Sequence, residues 1–214
     1  MKKPTKKQER ALRAVEVLRE RYPDATCTLE YRSAFELLVA VRLSAQCTDK
    51  RVDMVTPALF ARYPDAAALA AADVAEVEER IRSCGLYKTK ARDLVAMAQT
   101  LLERHGGEVP GTIEELTALP GVGRKTANLV CGDVFGMPGV VVADTHCIRI
   151  AGRLGLCDSN DPKKVETQLR ALLPPEESGV FCHRLVRFGR DTCIARSPRC
   201  GDCPLSDICP SRQR

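Results

Sequence analysis

Leu119-Pro-Gly-Val-Gly-Arg-Lys-Thr-Ala127 lies between a short helix predicted from Ile113 and a helical run that ends at Phe135. The two glycines permit a turn so tight that the backbone amides opening the next helix point outward together. Those amides and the positive end of the helix dipole make a phosphate site that ignores base sequence. A P-loop is the obvious rival, but its lysine must follow a glycine, and here Arg124 precedes Lys125. No strand feeds the turn either. Taken alone, the motif leaves open whether Lys125 is one more phosphate contact or a reacting group.

Outward from the hairpin the chain reads as helix after helix. Leu12, Val15, Leu18 and Tyr22 stand at helical spacing before Pro23-Asp24. Ser33 with Glu36, Asp73 with Glu76 and Thr112 with Glu115 repeat the pattern in which two side chains satisfy amides at a helix start. Gly85, Gly106-Gly107 and Gly136 mark stops, and Asp161-Pro162 marks another start. The run from Phe35 to Leu43 is nearly apolar all round, as expected of a helix at the centre of the core, with Arg42 unexplained inside it. Val140 to Ala143 reads as extended, but four residues without a partner strand make no sheet. The fold class is therefore all-α.

The 214 residues, 44% hydrophobic, suffice for one large or two small domains. No apolar run reaches the roughly 18 residues of a membrane span, and no apolar signal segment follows the N-terminus, so a cytoplasmic, non-membrane protein is expected. The net charge of +5 is unevenly spread. Lys2, Lys3, Lys6, Lys7, Arg10 and Arg13 face one acid, Glu9, in the first thirteen residues, and Arg184, Arg187, Arg190, Arg196 and Arg199 face only Asp191 between Cys182 and Cys200. Such patches suit either a phosphate-neutralising surface or a solvated face.

Eleven cysteines without an export signal argue for metal or cluster binding over disulfides. Seven are scattered and expected to be small buried apolar residues. The last four, Cys193, Cys200, Cys203 and Cys209, form C-x6-C-x2-C-x5-C within seventeen residues. Four thiolates suit zinc as well as iron, but zinc usually takes two close pairs across a longer loop. Asp144, nineteen residues after Lys125, sits where the extended segment meets the next helix, and its position alone suits an N-cap.

The hairpin L-P-G-V-G-x-x-T-A resembles that of the helix-hairpin-helix DNA glycosylases, and the cysteine spacing resembles the cluster loop of the endonuclease III family. The likeness runs from roughly residue 10 to 210. It implies a two-domain fold: a six-helix domain over 28–137 containing the hairpin at 113–135, and a cluster-bearing domain of 1–27 with 138–214, its loop at 193–209. It implies a [4Fe-4S] cluster on Cys193, Cys200, Cys203 and Cys209, structural in role and presenting Arg196 and Arg199 to the DNA backbone. Duplex DNA with a damaged base or abasic site is the implied partner, held in a cleft between the domains by a monomer. Lys125 and Asp144 become the catalytic pair of a bifunctional enzyme of base excision repair.

That enzyme is a glycosylase removing oxidised or ring-saturated pyrimidines and an abasic-site lyase that cuts by β-elimination through a lysine imine. A free lysine, of pKa about 10.4 in water, must lose its proton to attack. Asp144 then serves as proton acceptor and as stabiliser of the positive sugar. The likeness also extends to Leu43–Asp49 and Gly85–Ala91, where Gln46 and Leu86 would fill the gap left in the duplex and Lys88 and Lys90 would lie near phosphates. From the residues alone, Gln46 suits a turn and Leu86 a core position after Gly85. Gly121, Gly123 and Arg124 belong to the hairpin's DNA contact, and His146 either positions the lesion or packs against the hairpin. A glycosylase without lyase activity and a silent DNA-binding module are the alternatives.

Overall fold

The computed structural model describes residues 3–213, which form eleven helices and no strand. Lys2 of the N-terminal basic group lies outside the described residues. The helices are α1 (Lys6–Arg21), α2 (Ala34–Ser44), α3 (Asp49–Arg62), α4 (Ala66–Ala70), α5 (Val74–Arg80), α6 (Tyr87–His105), α7 (Ile113–Thr117), α8 (Arg124–Asp133), α9 (Thr145–Arg153), α10 (Pro162–Arg170) and α11 (Pro175–Asp191). They divide between two compact units. One is Cys27–Phe135; the other comprises the described residues up to Thr26 and from Gly136 onward.

The Cys27–Phe135 unit is built around α2. Phe35, Leu37, Leu38, Val39, Ala40, Val41 and Leu43 are all buried, so no face of this helix is left for water, and α3, α6 and α8 pack against it. Its start is set by Ser33, whose hydroxyl accepts from the Glu36 amide, while the Glu36 carboxylate accepts from the Arg32 amide. The unit holds seven helical segments, α2 to α8, where six were expected; α4 and α7 are only five residues each. Gly85 is not a helix stop, because α5 ends at Arg80. Glycine is needed there for another reason: a Cβ on Gly85 would lie 3.0 Å from the Gln46 carbonyl oxygen.

In the other unit α1 packs on α11. Thr5 and Gln8 form a reciprocal capping box at its start. The buried seam runs Ala11, Ala14, Val15, Val17 and Leu18, and the expected Leu12 is 45% exposed. Small alanines let the two helix backbones approach, which turns Leu12 outward. The Tyr22 hydroxyl donates to Asp191, and Arg19 pairs with Glu177. Val140 to Ala143 is buried and pairs with no strand, and its end turns where the Asp144 amide donates to the Val142 carbonyl at 2.9 Å. The Val142 amide donates to Cys182 Sγ at 3.3 Å, so a buried thiol takes the place of a ladder partner.

Two basic groups are partly consumed by the fold. Arg10 donates to the Leu154 carbonyl at 3.1 Å and Arg13 pairs with Glu16. Arg184 is buried and its guanidinium bonds Glu177, so it is not a surface cation.

Candidate nucleic-acid interface and cluster loop

The hairpin turn is held from below. Gly121 has φ of +73°, and a Cβ there would lie 2.6 Å from Arg42 Nε and 2.9 Å from Asp93 Oδ2. Arg42 donates to Asp93 through both Nε and Nη2, which accounts for an arginine inside the apolar run of α2. Gly123 is the N-cap of α8 and offers no side chain to the amides of the first turn. An anion at this helix start would meet first-turn amides and the favourable end of the helix dipole. Arg124 and Lys125 are the first two residues of α8, both exposed.

Gln46 and Leu86 are the two non-glycine residues with positive φ among the described residues, at 54° and 59°. Each such backbone costs on the order of 1 kcal/mol, and strain of this kind gathers at working sites. Gln46 is exposed in the turn after α2; Leu86 is 57% exposed at the N-cap of α6. Leu86 is therefore no core residue. The two turns touch through Gly85 and the Gln46 carbonyl.

Lys88 is exposed, as a phosphate contact requires, but Lys90 is not available to DNA. It is fully buried, and its Nζ donates to the Leu43 carbonyl at 2.6 Å, satisfying one of the unpaired carbonyls at the end of α2. Burial pushes the Lys90 pKa down. The helical period separates the two lysines: residues two apart on α6 face in nearly opposite directions.

In the other unit, Asp144 is the N-cap of α9. Its Oδ1 accepts from the Cys147 amide at 2.7 Å, and its Oδ2 lies 3.2 Å from His146 Nδ1. One carboxylate oxygen is thus spent on the helix while the second faces a partly exposed imidazole. The same His146 ring packs on α11, where a Cβ on Gly189 would meet its Cδ2 at 2.7 Å. Lys125 belongs to the Cys27–Phe135 unit and Asp144 to the other.

After α11 the chain turns into the loop that carries Cys193, Cys200, Cys203 and Cys209. All four line one cavity whose inner wall is Ile150, Leu154 and Phe188. Burial pushes the Cys203 and Cys209 thiols up, so making thiolates of them needs a compensating cation. Among the described residues no group of three or more His, Cys, Asp or Glu meets closely enough to hold a single metal ion. A four-iron cubane takes one thiolate at each corner, and four cysteines line this one cavity. The donor set fits the cluster.

Two residues of this loop's support escaped the sequence. Arg153 donates to the carbonyls of Ile194 at 2.9 Å and Ala195 at 2.6 Å and to Cys193 Sγ at 3.3 Å. Arg149, one turn earlier on α9, bonds the carbonyls of Gly189 and Cys193. Their acceptors lie some forty residues away in sequence, and no local pattern marks them. Arg196 and Arg199 are exposed on the loop itself.

Residues 39–175 match the HhH-GPD superfamily of base excision DNA repair proteins, and residues 193–209 match the iron-sulfur binding domain of endonuclease III. The chain is 46% identical to endonuclease III of Synechocystis sp. over its whole length and 97% of that protein. It is 43% identical to endonuclease III of Escherichia coli, covering 92% of this chain and 93% of that one. A structure of a trapped endonuclease III–DNA covalent intermediate superposes with a TM-score of 0.89 at 43% identity, over 98% of this chain and 97% of that one.

Proposed function

This chain belongs to the endonuclease III family of HhH-GPD base excision DNA repair proteins, and from that membership we infer that it excises oxidised or ring-saturated pyrimidines from duplex DNA through Lys125 and then cuts the strand. It is a DNA glycosylase and abasic-site lyase that binds DNA and carries a [4Fe-4S] cluster. The observation that carries the reading is the exposed amine of Lys125 on the first turn of α8, directly after a hairpin suited to hold a phosphate.

The hairpin, Gly121 to Arg124, grips the backbone beside the lesion, with Lys88, Arg196 and Arg199 as further phosphate contacts. Extruding the damaged nucleotide costs a few kcal/mol, least for a base that stacks poorly, and Gln46 and Leu86 occupy the space it leaves. Neutral Lys125 attacks C1′ of the sugar as the glycosidic bond breaks and the base departs. The second oxygen of Asp144 balances the positive charge on the sugar, takes a proton from the attached amine and returns it to O4′ as the C1′–O4′ bond breaks and the imine forms. Loss of a 2′ proton then expels the 3′ phosphate, and water returns the lysine. The cluster, ligated by Cys193, Cys200, Cys203 and Cys209, supplies a rigid fold for the loop that presents Arg196 and Arg199. The reading includes a monomer acting on nucleoid DNA in the cytoplasm.

A solved relative has been trapped covalently on DNA, which supports the same chemistry here. The test is borohydride trapping on a duplex with one thymine glycol, beside the Lys125→Ala variant. An adduct with the native chain that the variant lacks is the expected result. Base release without an adduct would mean a glycosylase lacking the imine; neither release nor adduct on thymine glycol or abasic duplexes would leave only a binding module.

A further inference from the structure

Cys47 follows Gln46 in one of the strained turns, and Cys84 precedes Gly85 and Leu86 in the other. Neither thiol has a part in the chemistry above. The turns are in contact, since a Cβ on Gly85 would lie 3.0 Å from the Gln46 carbonyl, and the neighbouring thiols of Cys47 and Cys84 are near enough to act on each other electrostatically. Cys47 is half-buried and open to small solutes, while Cys84 is 1% exposed behind it. The ammonium of Lys90, fixed on the Leu43 carbonyl, acts electrostatically on both sulfurs. Burial pushes the Cys84 thiol up to about 11 against the weaker pull of Lys90, so Cys84 waits as a thiol behind the more accessible Cys47.

We propose that Cys47 and Cys84 are a peroxide-reactive pair that closes to a reversible disulfide and thereby displaces Gln46 and Leu86. The Cys47 thiolate attacks the peroxide oxygen, breaking the O–O bond; Cys47 becomes a sulfenic acid and the other oxygen leaves as water or an alcohol once protonated. The Cys84 sulfur then attacks the Cys47 sulfur, forming the S–S bond and releasing the sulfenic oxygen as water, which takes up the Cys84 proton. Two thiols are oxidised and one peroxide is reduced. Closing the bond draws together turns that already touch at Gly85, so the movement falls on the two positive-φ residues flanking the pair. Oxidation at this site therefore weakens binding to lesion DNA, a consequence that rests on the role given to Gln46 and Leu86 above.

The full-length, cluster-loaded protein is treated with hydrogen peroxide, alkylated, digested and read by mass spectrometry, with the visible absorption of the cluster followed alongside. A linked peptide joining Cys47 to Cys84 is expected, abolished by dithiothreitol and absent from Cys47→Ser. Alkylation of both thiols at a dose that oxidises other cysteines would overturn the pair, as would overoxidation of Cys47 with Cys84 still free. Affinity for a duplex bearing a non-cleavable abasic analogue is then compared. The oxidised native protein binds several-fold more weakly than the reduced one, and Cys47→Ser binds equally with or without peroxide. A linked peptide with unchanged affinity would overturn the displacement, and an equal loss in Cys47→Ser would assign the effect to cluster damage. If the reduced protein ignored every lesion duplex, the functional reading would fail while the peptide result stood.

Discussion

Arg42 holds the carboxylate of Asp93 directly beneath Gly121, so the floor of the hairpin is an ion pair with no room for a side chain above it. Gly121→Ala must push its Cβ into that pair and also strain a φ of +73°. The expected loss is about 1–3 kcal/mol in urea unfolding, with weaker DNA binding. Gly123→Ala, at φ −93° with nothing within 4 Å of the new Cβ, is the control. It costs at most about 1 kcal/mol. Equal losses at the two glycines would mean the ion pair yields freely.

Asp144→Asn separates the two roles of one side chain. Asparagine caps a helix about as well as aspartate, so the bond to the Cys147 amide survives and stability falls by less than about 1 kcal/mol, mostly from lost charge at the helix start. Base-release turnover is expected to fall about 100-fold or more, with DNA affinity retained. Asp144→Ala adds the loss of the cap, about 1 kcal/mol further. Unchanged turnover in the asparagine variant would reduce Asp144 to a helix cap.

The helix starts at Ser33, Thr112 and Asp161 and the all-round burial of α2 were legible because a cap and an apolar period are local properties. The hairpin and the cysteine loop were legible because their spacing is itself the chemistry. What the sequence could not resolve is which way a side chain faces when the answer lies far along the chain. Lys88 and Lys90 look alike in sequence, yet Lys90 is turned inward by a carbonyl forty-seven residues away. Arg42, Arg149 and Arg153 are the same case: each is placed by an acceptor that no nearby pattern announces.

Arg153 clamps three successive residues of the cluster loop, bonding Ile194 and Ala195 through their carbonyls and Cys193 through its sulfur. Arg153→Met keeps the aliphatic stem and removes every donor. The loop then opens more often, and the cluster's visible absorption should bleach several times faster in chelator while helix content by circular dichroism stays the same. Arg153→Lys does not restore retention, because one ammonium cannot span the acceptors that the planar guanidinium fork reaches. Identical bleaching in native protein and both variants would remove Arg153 from the support of the loop.

Lys90 yields two opposed expectations. Lys88→Ala should weaken DNA binding and make its salt dependence shallower by about one charge, whereas Lys90→Met should leave that slope unchanged. The cost of Lys90→Met is to folding: the Leu43 carbonyl is left buried without a donor, about 1–3 kcal/mol. The pH dependence follows from burial, which lowers the folded pKa below the unfolded value of 10.5. Between those two values the unfolded chain binds more protons than the folded one, so native stability rises with pH. Below the folded pKa the penalty of a buried ammonium is complete and constant. The gap between native protein and Lys90→Met should therefore hold or widen from neutral pH towards pH 9, short of the range where Cys84, pushed up to about 11, begins to ionise. Urea unfolding at successive pH values reads the gap, and a gap that narrowed would mean that the folded pKa lies above the unfolded one.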